Sequence, residues 1–560
     1  MALDDVSRAS MPPSRAVATP IRQAIARDAT RTLAALAGAA ALAVLIAFTN
    51  LAGLLIVRSI DRRRELAVRH ALGARPSEIA RQLFLEGAAL VVTGTVLGIV
   101  LAFWMTPAVG NLALERFGAI ANRDVALSWR VIGGAAAIAL LCASICGLLP
   151  ALAASRWSVI DVLRRGTTPS PREARLRRVL VAGEVALAFV LLVSMALVGR
   201  TLLRVLAVDP GFDVRGVLAL QISLPAASYP GPDRVASFYA ALQNALEARL
   251  GPHTVSIVDE RPLTHDRGRS LTGTRSGEAG PEAVVRTVSA GYFDVMRIPV
   301  IAGRSLDHTD TPAASPRVVI SQSLAQRLFG STAAVGRQIF LAATSQTADI
   351  VGVVGDIKHR ALDEVLLPTV YLSALQAPSP SSVVVVRAAR PEADVIAVVR
   401  EEVGRLDGSL PVYGVRSLAD AVAASPGVAA RRVLTAALTG FAVLAVLLGA
   451  IGLFGVAAHD VACRRVELAL RIALGADPAR ILTATLRQGM LIVGSGLAAG
   501  ALLSLWAARG LSGVIYAPER FDFLSIAAAA GLLMAAGAAA VLPAALRAAR
   551  TDPLIALRSE

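Results

Sequence analysis

The sequence predicts an α-helical polytopic membrane protein of about seven spans carrying one large α+β extracytoplasmic domain. Three observations lead there. The 560 residues are 55% hydrophobic and only 17% charged, with a mean hydropathy of +0.62, which is too apolar for a soluble chain. Apolar runs near the length that crosses a bilayer recur along it. One stretch also occurs twice at a spacing of 402 residues, and a fixed-period self-match of this kind sets the architecture.

The seven apolar runs are Leu33 to Val57, Gly87 to Trp104, Val131 to Ala153, Val179 to Gly199, Leu434 to Ala457, Gly489 to Ala507 and Phe523 to Leu546. Arginine clusters in particular segments between them: Arg58, Arg62, Arg63, Arg64, Arg69, Arg75 and Arg81; Arg156, Arg164, Arg165, Arg172, Arg175, Arg177 and Arg178; and Arg464, Arg465, Arg471 and Arg480. The alternate short loops hold only Arg116, Arg123 and Arg130, or Arg509 and Arg520. This asymmetry faces the arginine-rich segments and the C-terminus to the cytoplasm. It also accounts for the net charge of +15 without nucleic acid as a partner. Trp104, Trp129 and Trp506 then fall at the outer interface.

The repeated stretch runs RRRELAVRHALGARPSEI from Arg62 to Ile79 and RRVELALRIALGADPARI from Arg464 to Ile481. Each copy reads as a short amphipathic helix. Glu65 and Arg69, like Glu467 and Arg471, sit four apart with the acid first, which supports a helix face, while Leu66 and Leu72 lie on another face. Gly73 and Gly475 supply a left-handed stop. Pro76 and Pro478 suit the first turn of a following helix, and Asp477 suits its cap. A basic helix and a tight turn before an apolar run are shaped for docking.

Taken in order, residues 1–31 are polar and arginine-containing, with no secretory signal, and read as the remnant of an upstream extracytoplasmic segment. Residues 32–166 and 431–560 are three-span units related by the repeat. Their last spans align Pro150 with Pro543, each read as leaving the membrane through the proline into a short cytoplasmic helix. Residues 167–178 form a cytoplasmic linker rich in Pro and Arg, and 179–208 a single unpaired span leading outward. Glu184 inside that span is an intramembrane acid, a functional candidate by default, read here as snorkelling or paired because the basic linker is about two turns away.

Residues 209–430 make the α+β domain. Val217 to Leu224, Arg317 to Ile320, Ile350 to Ile357, Val383 to Arg387 and Val412 to Val415 read as strands, and Val235 to Leu250 and Glu392 to Leu406 as amphipathic helices. The chain's chemistry is sparse. Its one lysine, Lys358, is followed by His359, so no Walker-type phosphate loop exists, and the six histidines form no zinc-protease pattern. Cys142 and Cys146 read as small packing residues within a span. Ser305, Asp307, His308 and Asp310 read as a turn held by local bonds. No catalytic activity, metal or resident cofactor is expected.

Arg431 to Ile481 resembles the FtsX-like permease domain of MacB-type ATP-binding-cassette transporters. DPGFD at Asp209 to Asp213, VSAGYFDVMRIPVIAGR at Val288 to Arg304, RVVISQSLAQRLFG at Arg317 to Gly330 and IVGVVGDIKH at Ile350 to His359 resemble the MacB-like periplasmic domain. The arrangement is most similar to permeases built from two fused MacB-like halves, with the first span and most of the first outer domain missing. The resemblance implies a bacterial inner-membrane location and a separate ABC ATPase that hydrolyses ATP. It implies efflux or extraction of substrates, with a periplasmic adaptor or envelope protein as a further partner. The alternative is a non-transporting scaffold that regulates a cell-envelope enzyme. The implied ATPase-coupling positions are Arg62, Arg63, Glu65, Arg69, Gly73, Arg464, Arg465, Glu467, Arg471 and Gly475.

Overall fold

A computed structural model describes residues 21–61, 65, 69, 75–117, 129–154, 171–263, 269–273, 280–342, 345–511 and 523–550. The described chain divides into a helical unit, formed by residues up to Leu202 and from Ala430 onward, and a second unit, Leu203–Ala429. The helical unit opens with α1 (Ile21–Asp61), α2 (Pro76–Phe117) and α3 (Trp129–Ala154), followed by α4 (Pro171–Leu206). Among the described residues six helices are long and apolar enough to cross a membrane. The expected third span coincides with α3, a continuous helix of 26 residues and so about 39 Å long. Its described apolar part is Trp129–Ile138, because most side chains of its second half lie outside the described residues.

The helix read as an unpaired span is the centre of the bundle. Sixty-one per cent of the apolar window of α4 is buried inside the protein, against 6% to 28% for the other five. Val181, Val185, Ala188, Phe189 and Leu192 of α4 pack in one cluster with Ile46 of α1. Elsewhere large apolar side chains stand exposed, among them Leu97, Phe103 and Trp104 of α2, which water would penalise and lipid tails accept.

The second unit begins with β1 (Val217–Ser223), α5 (Pro232–Leu250) and β2 (Val255–Val258). It continues with β3 (Arg269–Gly273), β4 (Glu282–Val288), α6 (Tyr292–Met296), β5 (Val300–Gly303), β6 (Arg317–Ser321), α7 (Gln322–Phe329), β7 (Gln338–Leu341), β8 (Gln346–Val354) and β9 (Thr369–Ser373). It closes with β10 (Ser381–Arg387), α8 (Glu392–Leu406), β11 (Tyr413–Ser417) and α9 (Leu418–Ala423).

Two lobes result. Strands in the order β11-β1-β10-β2, with α5 after β1 and α8 after β10, make the split βαβ arrangement of a ferredoxin-like lobe. Leu218, Leu220 and Ile222 alternate along β1 and bury against Leu242 and Leu246 of α5 and Val395, Val399 and Val403 of α8. Between β2 and β10 the chain inserts the other lobe, in which β4, β3, β7, β8, β6 and β9 pair in sequence and β9 pairs back with β4. That ring is closed, which removes its sheet edges. It encloses Val318, Ile320, Ile339, Ile350 and Val370.

The chain returns through α10 (Pro426–Cys463), a short helix α11 (Arg465–Ala473), α12 (Pro478–Leu511) and α13 (Phe523–Ala549). These helices close on α4 and on each other through glycines. A Cβ at Gly496 would stand 2.6 Å from the Ala182 carbonyl oxygen, and one at Gly500 would stand 2.9 Å from that of Ala186, so a GxxxG stripe lets α12 approach the backbone of α4. Gly489 meets Val541, and Gly537 meets Val493, across the α12–α13 seam. Pro543 lies inside α13, which runs on to Ala549. The short helices expected after Pro150 and Pro543 fall largely outside the described residues.

Candidate functional site

The second copy of the repeat is a built elbow. Arg464 precedes α11, Arg465 opens it, and Arg471 donates a hydrogen bond to Glu467 one turn back. At its end Gly475 has a φ of +89°, and two backbone bonds close the turn, Ala476 N–H to Arg471 C=O and Gly475 N–H to Ile472 C=O, both 3.0 Å. This is a Schellman stop, which needs a left-handed residue where glycine stands. Asp477 then accepts a 3.0 Å bond from Ala479 N–H, capping α12, whose first residue is Pro478.

One face of α11 is anchored. Leu468 packs with Ile481 of α12 and Ala548 of α13, with Val461 and Ile472 beside them. The opposite face carries Val466, Leu470 and Leu474, four apart along the helix and all exposed, Leu474 by 80%. Leu66 and Leu72, expected to share a face, lie outside the described residues; in this copy their counterparts differ, Leu468 being buried and Leu474 exposed. A 3.6-residue period cannot keep positions six apart on one stripe.

In the first copy Glu65 and Arg69 are helical and paired at 2.6 Å. Arg69 also donates to Gln82 Oε1 of α2 at 2.9 Å, a contact absent from the second copy because Ala484 occupies the matching position. The Arg75 N–H donates to Glu78 Oε2 at 3.1 Å, so this copy caps its helix with an acid three residues in. Arg62, Arg63 and Gly73 lie outside the described residues.

Behind each elbow sits a polar joint that the sequence reading missed. In the first copy Arg58 of α1 faces Glu86 of α2 at 3.8 Å. At the equivalent positions the second copy has Asp460 and Gln488, 3.3 Å apart, and its charge is balanced from α4: Arg177 donates to Asp460 Oδ1, and Arg178 lies 3.6 Å from Oδ2. The 402-residue offset relates both pairs, so the change from Arg58 to Asp460 and from Glu86 to Gln488 was the available signal.

The remaining candidates resolve as structure. Asp310 is fully buried and takes bonds from Arg304 at 2.7 and 2.9 Å, from Arg317 at 2.9 Å and from the Asp307 N–H at 2.9 Å. Burial opposes its ionisation, but these donors outweigh burial and hold the carboxyl down at about 2. The cluster Ser305, Asp307, His308 and Asp310 is thus a loop pinned by arginines. Among the described residues no group of His, Cys, Asp or Glu could hold a metal ion. The side chains of Cys142 and Cys146 lie outside the described ones. Glu184 departs from the snorkelling reading. It is buried in the bundle, where the side chains of Thr49 and Asn50 on α1 and Gly452 on α10 surround its carboxyl.

Comparison with known families places this architecture. The FtsX-like permease C-terminal model matches residues 37–159 and again 439–553, and the MacB-like periplasmic core domain model matches residues 179–403. The chain belongs to the MacB- and FtsX-like permease family. It is a multi-pass inner-membrane permease with one periplasmic domain, and the doubled permease match coincides with the doubled elbow.

Among proteins similar to this permease, the uncharacterized ABC transporter permease YknZ of Bacillus subtilis is 30% identical over 125 residues, 22% of this chain and 30% of the relative. The pyoverdine export ATP-binding/permease protein PvdT of Pseudomonas syringae pv. syringae is 33% identical over 141 residues, 25% of this chain and 20% of the relative. The macrolide export ATP-binding/permease protein MacB of Burkholderia pseudomallei is 30% identical over 132 residues, 22% and 18% respectively. The permease thus matches less than a third of the length of each. Among solved structures, the periplasmic region of MacB from Actinobacillus actinomycetemcomitans is 16% identical with a TM-score of 0.25, covering 38% of this chain and 93% of that one. The extracellular domain of YknZ is 19% identical with a TM-score of 0.25, covering 35% and 100%.

Proposed function

We propose that this permease is the membrane-spanning subunit of an ABC-type system, hydrolysing no ATP itself and carrying the motion of a separate ATPase outward to its periplasmic domain. The observation that carries the reading is α11. Leu468 and Ile472 anchor one side of a short rigid helix in the bundle, while its other side offers Val466, Leu470 and Leu474 beside the Glu467–Arg471 pair. An exposed apolar row on an otherwise charged cytoplasmic elbow suits a groove on a soluble partner.

The path outward follows from the packing. The stop at Gly475 and the cap at Asp477 leave little slack between α11 and α12. A displacement of the elbow therefore acts on the start of α12 and the end of α10. Both helices lie against α4, α12 about halfway along its length through Gly496 and Gly500 and α10 near its end through Asp460. By chain order α4 continues into β1 of the periplasmic domain. Arg464, Arg465, Glu467, Arg471 and Gly475, with Arg62, Arg63, Glu65, Arg69 and Gly73 of the first elbow, are the coupling positions in this scheme. Relatives named for pyoverdine and macrolide export support efflux or extraction as its use, with a periplasmic adaptor or envelope protein as a further partner.

A photo-crosslinking residue at Leu474 tests this in native membranes. The expected adduct joins the permease to a polypeptide that binds ATP, and Leu470→Asp abolishes it. An adduct with lipid alone, with or without that substitution, contradicts the docking role.

A further inference from the structure

Glu184 sits in the N-terminal half of the most enclosed helix of the bundle and is itself only 1% exposed. One carboxyl oxygen, Oε2, has no hydrogen-bond partner. Sharing the space over Gly452 with it is Asn50 of α1, whose amide orientation is settled by its surroundings: Nδ2 donates to the Leu448 carbonyl of α10 at 2.9 Å. A carbonyl can only accept, so the amide nitrogen must turn that way, which leaves Oδ1 on the side of Gly452. The two oxygens converge above Gly452. A Cβ there would stand 2.5 Å from Glu184 Oε2 and 2.8 Å from Asn50 Oδ1, so the gap between them cannot exceed the sum of those distances.

Two acceptors that face each other in a dry interior repel unless a hydrogen lies between them. We propose that Glu184 is a proton-binding site inside the membrane bundle, its acid O–H donated to Asn50 Oδ1. The groups around it fit that assignment. From α1 come the Thr49 hydroxyl and the Asn50 amide, from α10 the Gly452 backbone, and from α12 the glycine stripe of Gly496 and Gly500 against the neighbouring turns of α4. The nearest charged groups on α4 are Arg177 and Arg178, seven and six residues earlier, and both are directed to Asp460 of α10. With the proton bound, α1, α4 and α10 are tied together across Gly452. With it lost, a bare carboxylate faces an amide oxygen and the tie becomes a repulsion, so the packing of α1 on the other two helices answers to proton occupancy.

Infrared difference spectroscopy of the purified permease in lipid nanodiscs tests the assignment without any partner protein. Wild type minus Glu184→Gln at neutral pH should contain one carboxylic-acid carbonyl band that shifts in D2O and is indifferent to exchanging sodium for choline. Glutamine keeps a donor toward Asn50, so this variant should fold as the wild type does. Asn50→Leu should keep the band and move it to higher frequency, since the acceptor is gone. Carboxylate stretches in place of the acid band would overturn the proposal, whether water or a distant arginine compensates the charge. So would a band that vanishes when sodium is added, which would make this a cation site, or a band that Asn50→Leu leaves unmoved.

Discussion

Arg177 is buried on Asp460, joining the first turns of the central helix α4 to the last turns of α10 directly before the elbow. Arg177 is only 4% exposed at its side chain, and two of its nitrogens make no other bond, so Asp460 is what makes its burial tolerable. Asp460→Ala should therefore lower stability by about 3 kcal/mol, read as thermal unfolding in detergent. The exchange Arg177→Asp with Asp460→Arg should recover part of the loss. Equal stability of Asp460→Ala and wild type would remove the joint from the scheme.

The pair on the elbow behaves differently because it is exposed. Glu467 and Arg471 are about half exposed, and such pairs contribute at most about 1 kcal/mol. Glu467→Lys should leave membrane insertion and thermal stability nearly unchanged while abolishing stimulation of the co-reconstituted ATPase. Unaltered ATPase binding and stimulation would strip Glu467 of a coupling role.

The glycines of α12 offer a paired comparison. Gly496→Ala would place a methyl 2.6 Å from the Ala182 carbonyl and 2.7 Å from Val185 Cβ, whereas Gly494 has nothing within 4 Å. Overpacking at a site backed by main chain typically costs about 1–3 kcal/mol, so Gly496→Ala should unfold at lower temperature. Gly494→Ala, which gains helix propensity, should match or exceed wild type. If the two variants melt alike, α12 does not contact α4 along this stripe.

Acid should loosen the arginine-pinned loop of the periplasmic domain. The Asp310 carboxyl is held at about 2 in the fold against about 3.9 when unfolded. Its contribution is therefore full above the unfolded value and is lost as pH falls toward the folded one. Hydrogen exchange of the Asp307 amide, which donates to Asp310, should be faster in Asp310→Asn than in wild type at pH 7. The two should converge as pH falls toward about 2.

Much of the fold was legible because local patterns carried it. Helix α8 was read with its observed ends, Glu392 and Leu406, since acids fill its first turn and Val395, Val399 and Val403 recur at helical spacing. Strands β2 and β7, four residues each, are too short to show a period. The parallel pairing of Val284 to Thr369 and onward joins segments with no local signal between them. At the elbows, repetition exposed the helix, the glycine stop and the proline start. It concealed the joints, because Arg58 and Glu86 became Asp460 and Gln488 with the balancing arginines supplied from α4. Glu184 was visible as an acid, but its nearness in sequence to the linker arginines suggested a partner that the three-dimensional packing gives to Asp460.

The central claim is that the elbows meet a motor protein on the cytoplasmic side. A single cysteine at Leu474, in a chain whose Cys142, Cys146 and Cys463 are replaced by serine, tests it with a membrane-impermeant maleimide. Labelling only after the cytoplasmic face is opened, and protection when an ATPase partner is bound, is the predicted result. Labelling of intact spheroplasts from outside would contradict the account.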